Sequence, residues 1–218
     1  MHKAISNLIE IEKEIYLKNP DSKGKIKIIA VSKTFSLKNI LPLIDYGHLD
    51  YGENKVQEAI DKWTDIKSSN NDLQLHMVGK LQTNKVKHAV KIFDYIHSLD
   101  SIKLAKKISE EQNKIGKNIK LFIQINIGSE IQKSGIMIDD LENFYTTCVK
   151  DFNLNIIGLM CLPPANIDPS NYFETMKNQA NTLTLAELSM GMSADYLKAI
   201  EFGASYVRIG SKIFGERV

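Results

Sequence analysis

The spacing of apolar positions changes repeatedly along the chain. Over residues 3–18, Ile5, Leu8, Ile9, Glu12 and Ile15 fall at steps of three and four, which predicts an amphipathic helix. "NPDSKGK" then breaks the pattern. Beyond it, short apolar runs alternate with longer stretches of helical spacing. The predicted strands are 26–32, 49–52, 75–79, 95–99, 120–126, 156–161, 187–190 and 206–210. The predicted helices between them are 36–46, 53–67, 82–92, 101–115, 138–149, 171–185 and 193–202. Alternation of this kind implies a parallel sheet, because parallel neighbours need a crossover. Eight strands with seven intervening helices predict an α/β fold, a single (β/α)8 TIM barrel over 26–217, with an extra N-terminal helix over 1–19. The first strand–helix turn lacks the GxGxxG fingerprint of a doubly wound sheet. No repeat or long linker marks a second domain, so residues 1–218 are expected to form one.

Composition narrows the functional classes. The net charge is +2 with 25% charged residues, which gives no electrostatic case for a nucleic-acid or membrane partner. The basic run "KLQTNKVKHAVK" (80–91) reads as a solvated helix face. Cys148 and Cys161 are far apart and in no CxxC arrangement, and the five histidines form no ligand-spaced cluster. Neither a disulfide framework nor a metal is expected. The N-terminus lacks the apolar core of a signal peptide, so a cytoplasmic protein is expected, and a monomer.

In a barrel, chemistry sits at the C-terminal ends of the strands. Those positions hold Lys33, Glu53 and Asn54, Gly79, Asn126, Met160, Ser189 to Gly191, and Arg208 to Ser211. Loops after strands 7 and 8 are a recurrent phosphate site in this fold. "LSMGMSAD" offers Ser189 and Ser193, with a helix expected to begin near Ser193; "RIGSKIFG" offers Gly210 and Ser211. Ser193 or Ser211 alone reads more readily as a helix cap, but two such sites on adjacent strands favour a phosphate. Lys33, at the exit of "IIAVS", is either a solvated strand end or a desolvated amine able to attack an aldehyde. Together, a phosphate cup and a nucleophilic lysine suit a phosphorylated aldehyde, pyridoxal 5′-phosphate or a sugar phosphate. Arg208 could bind the phosphate, donate to a pyridine nitrogen, or pair with a carboxylate. Arginine does not readily give up a proton, so a ring nitrogen facing it stays unprotonated. His76, inside a strand, reads as a satisfied core histidine.

"AVSKT", "YGENKVQE", "HMVGKLQTNK", "QINIGSEIQKSG", "GLMCLPP", "LSMGMSADYLKAI" and "VRIGSKIFGER" occur in order over about residues 26–217. Together they resemble the YggS/PROSC family of pyridoxal-phosphate-binding homeostasis proteins, whose single barrel is similar to the N-terminal domain of alanine racemase. The resemblance implies a Schiff base on Lys33. It implies phosphate contacts from Ser189, Gly210 and Ser211, Arg208 facing the pyridine nitrogen, and Asn54 and Met160 lining the ring. Ser211 stands where the family pattern has threonine, and Lys80 where it often has His or Pro. Lys133 matches a loop lysine of the family, either a second aldehyde contact or a solvated charge. The implied function is to hold the cofactor and buffer or deliver it, with apo pyridoxal-phosphate enzymes as partners. The alternative is an amino-acid racemase-like enzyme. A racemase needs a second acid–base group on the opposite face of the ring. Its family supplies a tyrosine from a β-domain that this sequence does not contain, leaving Tyr51 and Cys161 as substitutes.

Overall fold

A computed structural model describes residues 2–22, 24–130 and 132–216. Eight parallel strands close into one barrel in the order β1 to β8. They are β1 (Lys27–Val31), β2 (Asp50–Glu53), β3 (Gln74–Met77), β4 (Tyr95–Leu99), β5 (Lys120–Ile125), β6 (Asn155–Cys161), β7 (Glu187–Met192) and β8 (Tyr206–Ile209). Closure is made by β1 against β8, with Ile29 opposite Arg208 and Ala30 opposite Ile209. The helices are α1 (Lys3–Lys18), α2 (Leu37–Tyr46), α3 (Val56–Ser69), α4 (Val86–Ile92), α5 (Ile102–Lys114), α6 (Leu141–Thr146), α7 (Ser170–Thr182), α8 (Tyr196–Glu201) and the short α9 (Ser211–Phe214).

All eight predicted strands are present, each within two residues of the expected bounds. The helix expectations change more, and the one over 82–92 is a 3-10 turn (Thr83–Lys85) followed by α4. The buried face of α1 is Ala4, Leu8, Ile11 and Ile15, not the face through Ile9 and Glu12. Steps of four, three and four keep that stripe against the barrel. The single helix expected over 138–149 is a 3-10 turn (Ile138–Asp140), then α6, then a π turn (Thr147–Asp151). The helix expected near Ser193 begins at Tyr196, after a turn in which Asp195 accepts a hydrogen bond from the Met192 N–H at 2.6 Å.

Two apolar layers follow from the strand period of two. Outward-facing Ile28, Ala30, Leu75, Ile96, Leu121, Leu159 and Val207 join the helices in the main core. Inward-facing Ile29, Val31, Tyr95, Phe122, Met160 and Tyr206 form a separate cluster inside the barrel. The barrel interior also holds buried polar groups, His76, His97, Ser189 and Arg208 among them. Buried polar groups persist only when hydrogen-bonded, so their partners bear directly on the site.

Candidate functional site

Lys33 leaves β1 on a tightly held turn. Ser32, just before it, is fully buried, and its hydroxyl donates to Glu53 Oε1 at 2.7 Å. Thr34, just after it, has φ of 69°, a left-handed conformation that strains a β-branched residue. The Thr34 N–H donates to Glu58 Oε1 at 2.7 Å, which holds that conformation in place. Lys62 from α3 ties the two sides together. Its Nζ donates to Glu53 Oε1 at 2.9 Å, Glu58 Oε1 at 3.0 Å and the Ser32 carbonyl at 3.0 Å. The Trp63 indole adds a third donor to Glu53 Oε1 at 3.0 Å. Burial would raise the Glu58 carboxyl, but the Thr34 N–H and the Lys62 ammonium outweigh it and hold the group below its ordinary value. Lys33 itself is half-buried. Of this network the sequence offered only Glu53, as a strand-end position.

Lys33 opens into a cavity of about 570 Å³ at the C-terminal mouth of the barrel. Arg208, Gly210 and Ser211 line it from β8 and its following turn, and Ser193 from the turn after β7. Val31, Val78 and Leu162 give it an apolar side, continuous with the inner cluster that contains Met160. Of the predicted residues, Lys33, Arg208, Gly210 and Ser211 therefore converge on one cavity. Ser193 joins them: its Oγ lies 3.5 Å from the Lys212 N–H, bridging the turns after β7 and β8.

Ser189 does not line this cavity. As an inward-facing residue on β7 it is fully buried, and its hydroxyl bonds to His97 Nδ1 at 2.8 Å and to Arg208 Nη1 at 2.6 Å. The phosphate contact expected of Ser189 thus gives way to a role beneath Arg208. The reason is geometric: Ser189 precedes the end of β7, which runs on to Met192, so its side chain points into the barrel. Arg208 is buried, and its second nitrogen, Nη2, donates to the Cys161 carbonyl at 2.8 Å. Burial lowers its guanidinium from the ordinary value, with Cys161 and Asp195 acting in the other direction. Asn54 sits where the β2–α3 turn crosses the end of β3. A Cβ on Gly79 would meet the Asn54 carbonyl oxygen at 2.6 Å and its Cβ at 2.7 Å, so glycine is required for the turn to close. Asn54 Oδ1 is buried without a hydrogen-bond partner among the described residues. Met160 is fully buried below the mouth rather than in the cavity wall.

Neither substitute for a second acid–base group reaches the cavity. Tyr51 faces outward against Trp63, with ring centroids 4.8 Å apart, and burial raises its hydroxyl. Burial pushes the Cys161 thiol up to about 12, and the Cys148 thiol likewise. Both thiols therefore stay protonated and enclosed. Iodoacetamide at pH 8 is expected to label neither in the native protein and both after unfolding; rapid native labelling at Cys161, read by peptide mass, would contradict this placement. Lys80 is exposed, and Lys133 pairs with Glu130 at 2.5 Å and donates to the Pro163 carbonyl at 3.4 Å. Among the described residues no cluster of three or more His, Cys, Asp or Glu could hold a metal, and no helix is long and apolar enough to cross a membrane.

The family model for "Alanine racemase, N-terminal domain" matches residues 17–218. A pyridoxal phosphate homeostasis protein from Aquifex aeolicus is 36% identical over 200 residues, 88% of this chain and 87% of that protein. The chain belongs to this family. The homeostasis protein of Escherichia coli K12 is 33% identical over 205 residues, covering 90% of this chain and 88% of its own length. Among solved structures, PipY of Synechococcus elongatus PCC7942 with pyridoxal phosphate bound superposes with a TM-score of 0.81 at 32% identity, over 92% of this chain and all of PipY. Alanine racemase of Clostridium difficile 630 shares the fold at a TM-score of 0.76 and 15% identity; the match covers all of this chain and 57% of the racemase. The matches to these homeostasis proteins cover most of their own length, whereas the match to this racemase covers little more than half of it.

Proposed function

We propose that this chain is a single pyridoxal 5′-phosphate-binding domain that holds the cofactor on Lys33 and buffers or delivers it. The observation that carries this reading is the convergence of Lys33, Arg208, Gly210, Ser211 and Ser193 on one cavity with an apolar side. That set matches the cofactor part by part: an amine for an aldehyde, a guanidinium for a ring nitrogen, hydroxyls for a phosphate, and apolar surface for a ring. The names of the homeostasis-protein relatives and the cofactor bound to PipY support the same reading.

When bound, the cofactor supplies an aldehyde that condenses with a primary amine and releases water. Lys33 supplies that amine, on a turn that Glu58 and Lys62 keep from relaxing. Ser193 and Ser211 donate hydroxyls to the phosphate, with Gly210 adding no side chain between them. Arg208 faces the ring nitrogen as a donor that retains its proton, which leaves the ring a weak electron sink and favours storage over turnover. Asn54, whose Oδ1 is a buried acceptor without a partner among the described residues, would line the ring. Met160 supports the apolar side from below. Neither Tyr51 nor Cys161 lines the cavity, so neither is placed to return a proton to the opposite face. The protein works as a cytoplasmic monomer, and apo pyridoxal-phosphate enzymes are the recipients.

The protein incubated with pyridoxal phosphate is expected to turn yellow and to retain the cofactor through gel filtration, eluting as a monomer. A colourless protein that takes up no added cofactor would overturn the reading. Arg208→Ala is expected to weaken retention roughly tenfold or more, the scale of one lost charge-assisted hydrogen bond, and to shift the visible absorbance. Unchanged affinity and spectrum would remove Arg208 from the ring nitrogen. Incubation of the loaded protein with each L-amino acid, followed by chiral analysis, is expected to show no rapid racemisation. A kcat of about 1 s⁻¹ or more would instead mark a racemase.

A further inference from the structure

A continuous line of hydrogen bonds crosses the barrel interior from its mouth towards its base. Arg208 Nη1 meets Ser189 Oγ at 2.6 Å, and Ser189 Oγ meets His97 Nδ1 at 2.8 Å. His97 Nε2 meets His76 Nδ1 at 3.0 Å, and His76 Nε2 meets Asp50 Oδ1 at 3.0 Å. The four inner residues come from β7, β4, β3 and β2, so the line exists only because the sheet closes. Ser189, His76 and His97 are fully buried, with Asp50 and Arg208 nearly so. Aromatic rings wall it from water. His76 stacks on Tyr95 and His97 on Phe122, each with centroids 4.3 Å apart and planes at 17°. Tyr206 stands edge-on to His97 at 5.9 Å.

The chemistry of the ends fixes the direction of every proton. Arginine is only a donor and an ionised carboxylate only an acceptor. Burial would raise the Asp50 carboxyl, but its bond to His76 and the nearby Lys27 hold it below its ordinary value. Burial also lowers both imidazoles, His97 strongly, against the pull of Asp50 and Asp94 on His76 and with the push of Arg208 on His97. Each ring is therefore neutral and carries one proton. His76 must place its proton on Nε2 to donate to Asp50, so its Nδ1 accepts. His97 must then carry its proton on Nε2, so its Nδ1 accepts from the Ser189 hydroxyl. The Ser189 oxygen is left to accept from Arg208. With Asp50 ionised, no other arrangement with neutral rings satisfies all four bonds.

We propose that Ser189, His97, His76 and Asp50 are positioning residues for Arg208: a one-directional donor chain that orients its guanidinium and balances its buried charge with a carboxylate at the far end of the barrel. Among the described residues Arg208 forms no direct ion pair, and the chain takes that place. Asp50 opens onto a second cavity of about 600 Å³ at the base, shared with Glu12, Lys27 and His48, and Lys27 Nζ lies 3.6 Å from its Oδ2. The cofactor face and the base of the barrel are thereby linked through one line of polarised bonds. The link to the ring nitrogen rests on the proposed cofactor site; the proton order does not.

Two measurements keep these apart. In the cofactor-free protein, ¹⁵N NMR of the imidazoles is expected to find both His76 and His97 neutral with the proton on Nε2. A proton on Nδ1 of either ring, or a doubly protonated ring at pH 7, would overturn the chain whether or not the cofactor binds. In the cofactor-loaded protein, Ser189→Ala is expected to lower affinity roughly fivefold to tenfold and to shift the visible absorbance, as loss of one charge-assisted bond implies. Tyr95→Phe keeps the ring on His76 and removes only the hydroxyl bonded to Lys120, and is expected to leave affinity and spectrum unchanged. Parent-like binding and spectrum in Ser189→Ala, or equal losses in Ser189→Ala and Tyr95→Phe, would overturn the positioning role. A parent protein that binds no cofactor would refute the cofactor site alone.

Discussion

Lys33→Ala is expected to abolish the borohydride-stable adduct with pyridoxal phosphate and to weaken cofactor retention roughly 100-fold, close to 3 kcal/mol. The covalent bond is the only part of the proposed site that cannot be replaced by a neighbour's contact. Arg208, Ser193 and Ser211 would still hold the ring and phosphate, so weak binding should survive without the visible chromophore. Peptide mass after reduction distinguishes the possibilities. The parent should carry the added mass on the peptide containing Lys33, and the variant should carry none. If the variant keeps parent affinity with the adduct on Lys133, the amine has been misassigned. Lys133 is the residue to watch, since its bonds to Glu130 and to the Pro163 carbonyl hold it among the loops that follow β5 and β6.

The second large effect lies behind the site. Lys62→Ala is expected to destabilise the protein by about 3–5 kcal/mol, the usual result of stripping one partner from a buried ion pair. Glu53 is fully buried, its Oε2 already lacks a partner, and Lys62 is the one cation bonded to it among the described residues. For a chain of this length the loss corresponds to a fall in Tm on the order of 10 °C. Cofactor retention should fall as well, because Lys62 also fixes the Ser32 carbonyl and Glu58, and Glu58 holds the strained Thr34. Pairing Lys62→Met with Glu53→Gln removes both charges, and most of the stability should return. Urea denaturation of the parent, Lys62→Met, Glu53→Gln and the double variant closes the cycle. A single-variant loss under about 1 kcal/mol would show that the ion pair is not what holds the Lys33 turn.

The strands were legible in the sequence because each is a short apolar run bounded by turn residues. "YIHSL" and "IIGLMC" lie within a residue of where they were expected. Helix faces were less legible. The α1 pattern through Ile9 and Glu12 is only one turn-step away from the face through Ile11, and packing against α2, α8 and α9 chose the second. The π turn after α6 has no sequence signal of its own. Cavity residues at strand ends were read by position, and Lys33, Arg208, Gly210 and Ser211 from that set line one cavity. Ser193 entered as an alternative cap, and the same argument misplaced Ser189, because strand β7 runs two residues past the apolar stretch that defined it.

His76 and His97 mark the boundary between the two kinds of knowledge. By itself the sequence determined the class of the fold, the order of its elements and the set of residues offered at the barrel mouth. Hydrophobic period, turn chemistry and chain order are local properties and survive without coordinates. It could not pair His76 with His97, put Ser189 beneath Arg208, or bring Lys62 from a helix to the turn around Lys33. Those contacts span 21, 19 and 30 positions. They depend on which way each side chain points once β8 has closed against β1, and closure is a property of the whole sheet.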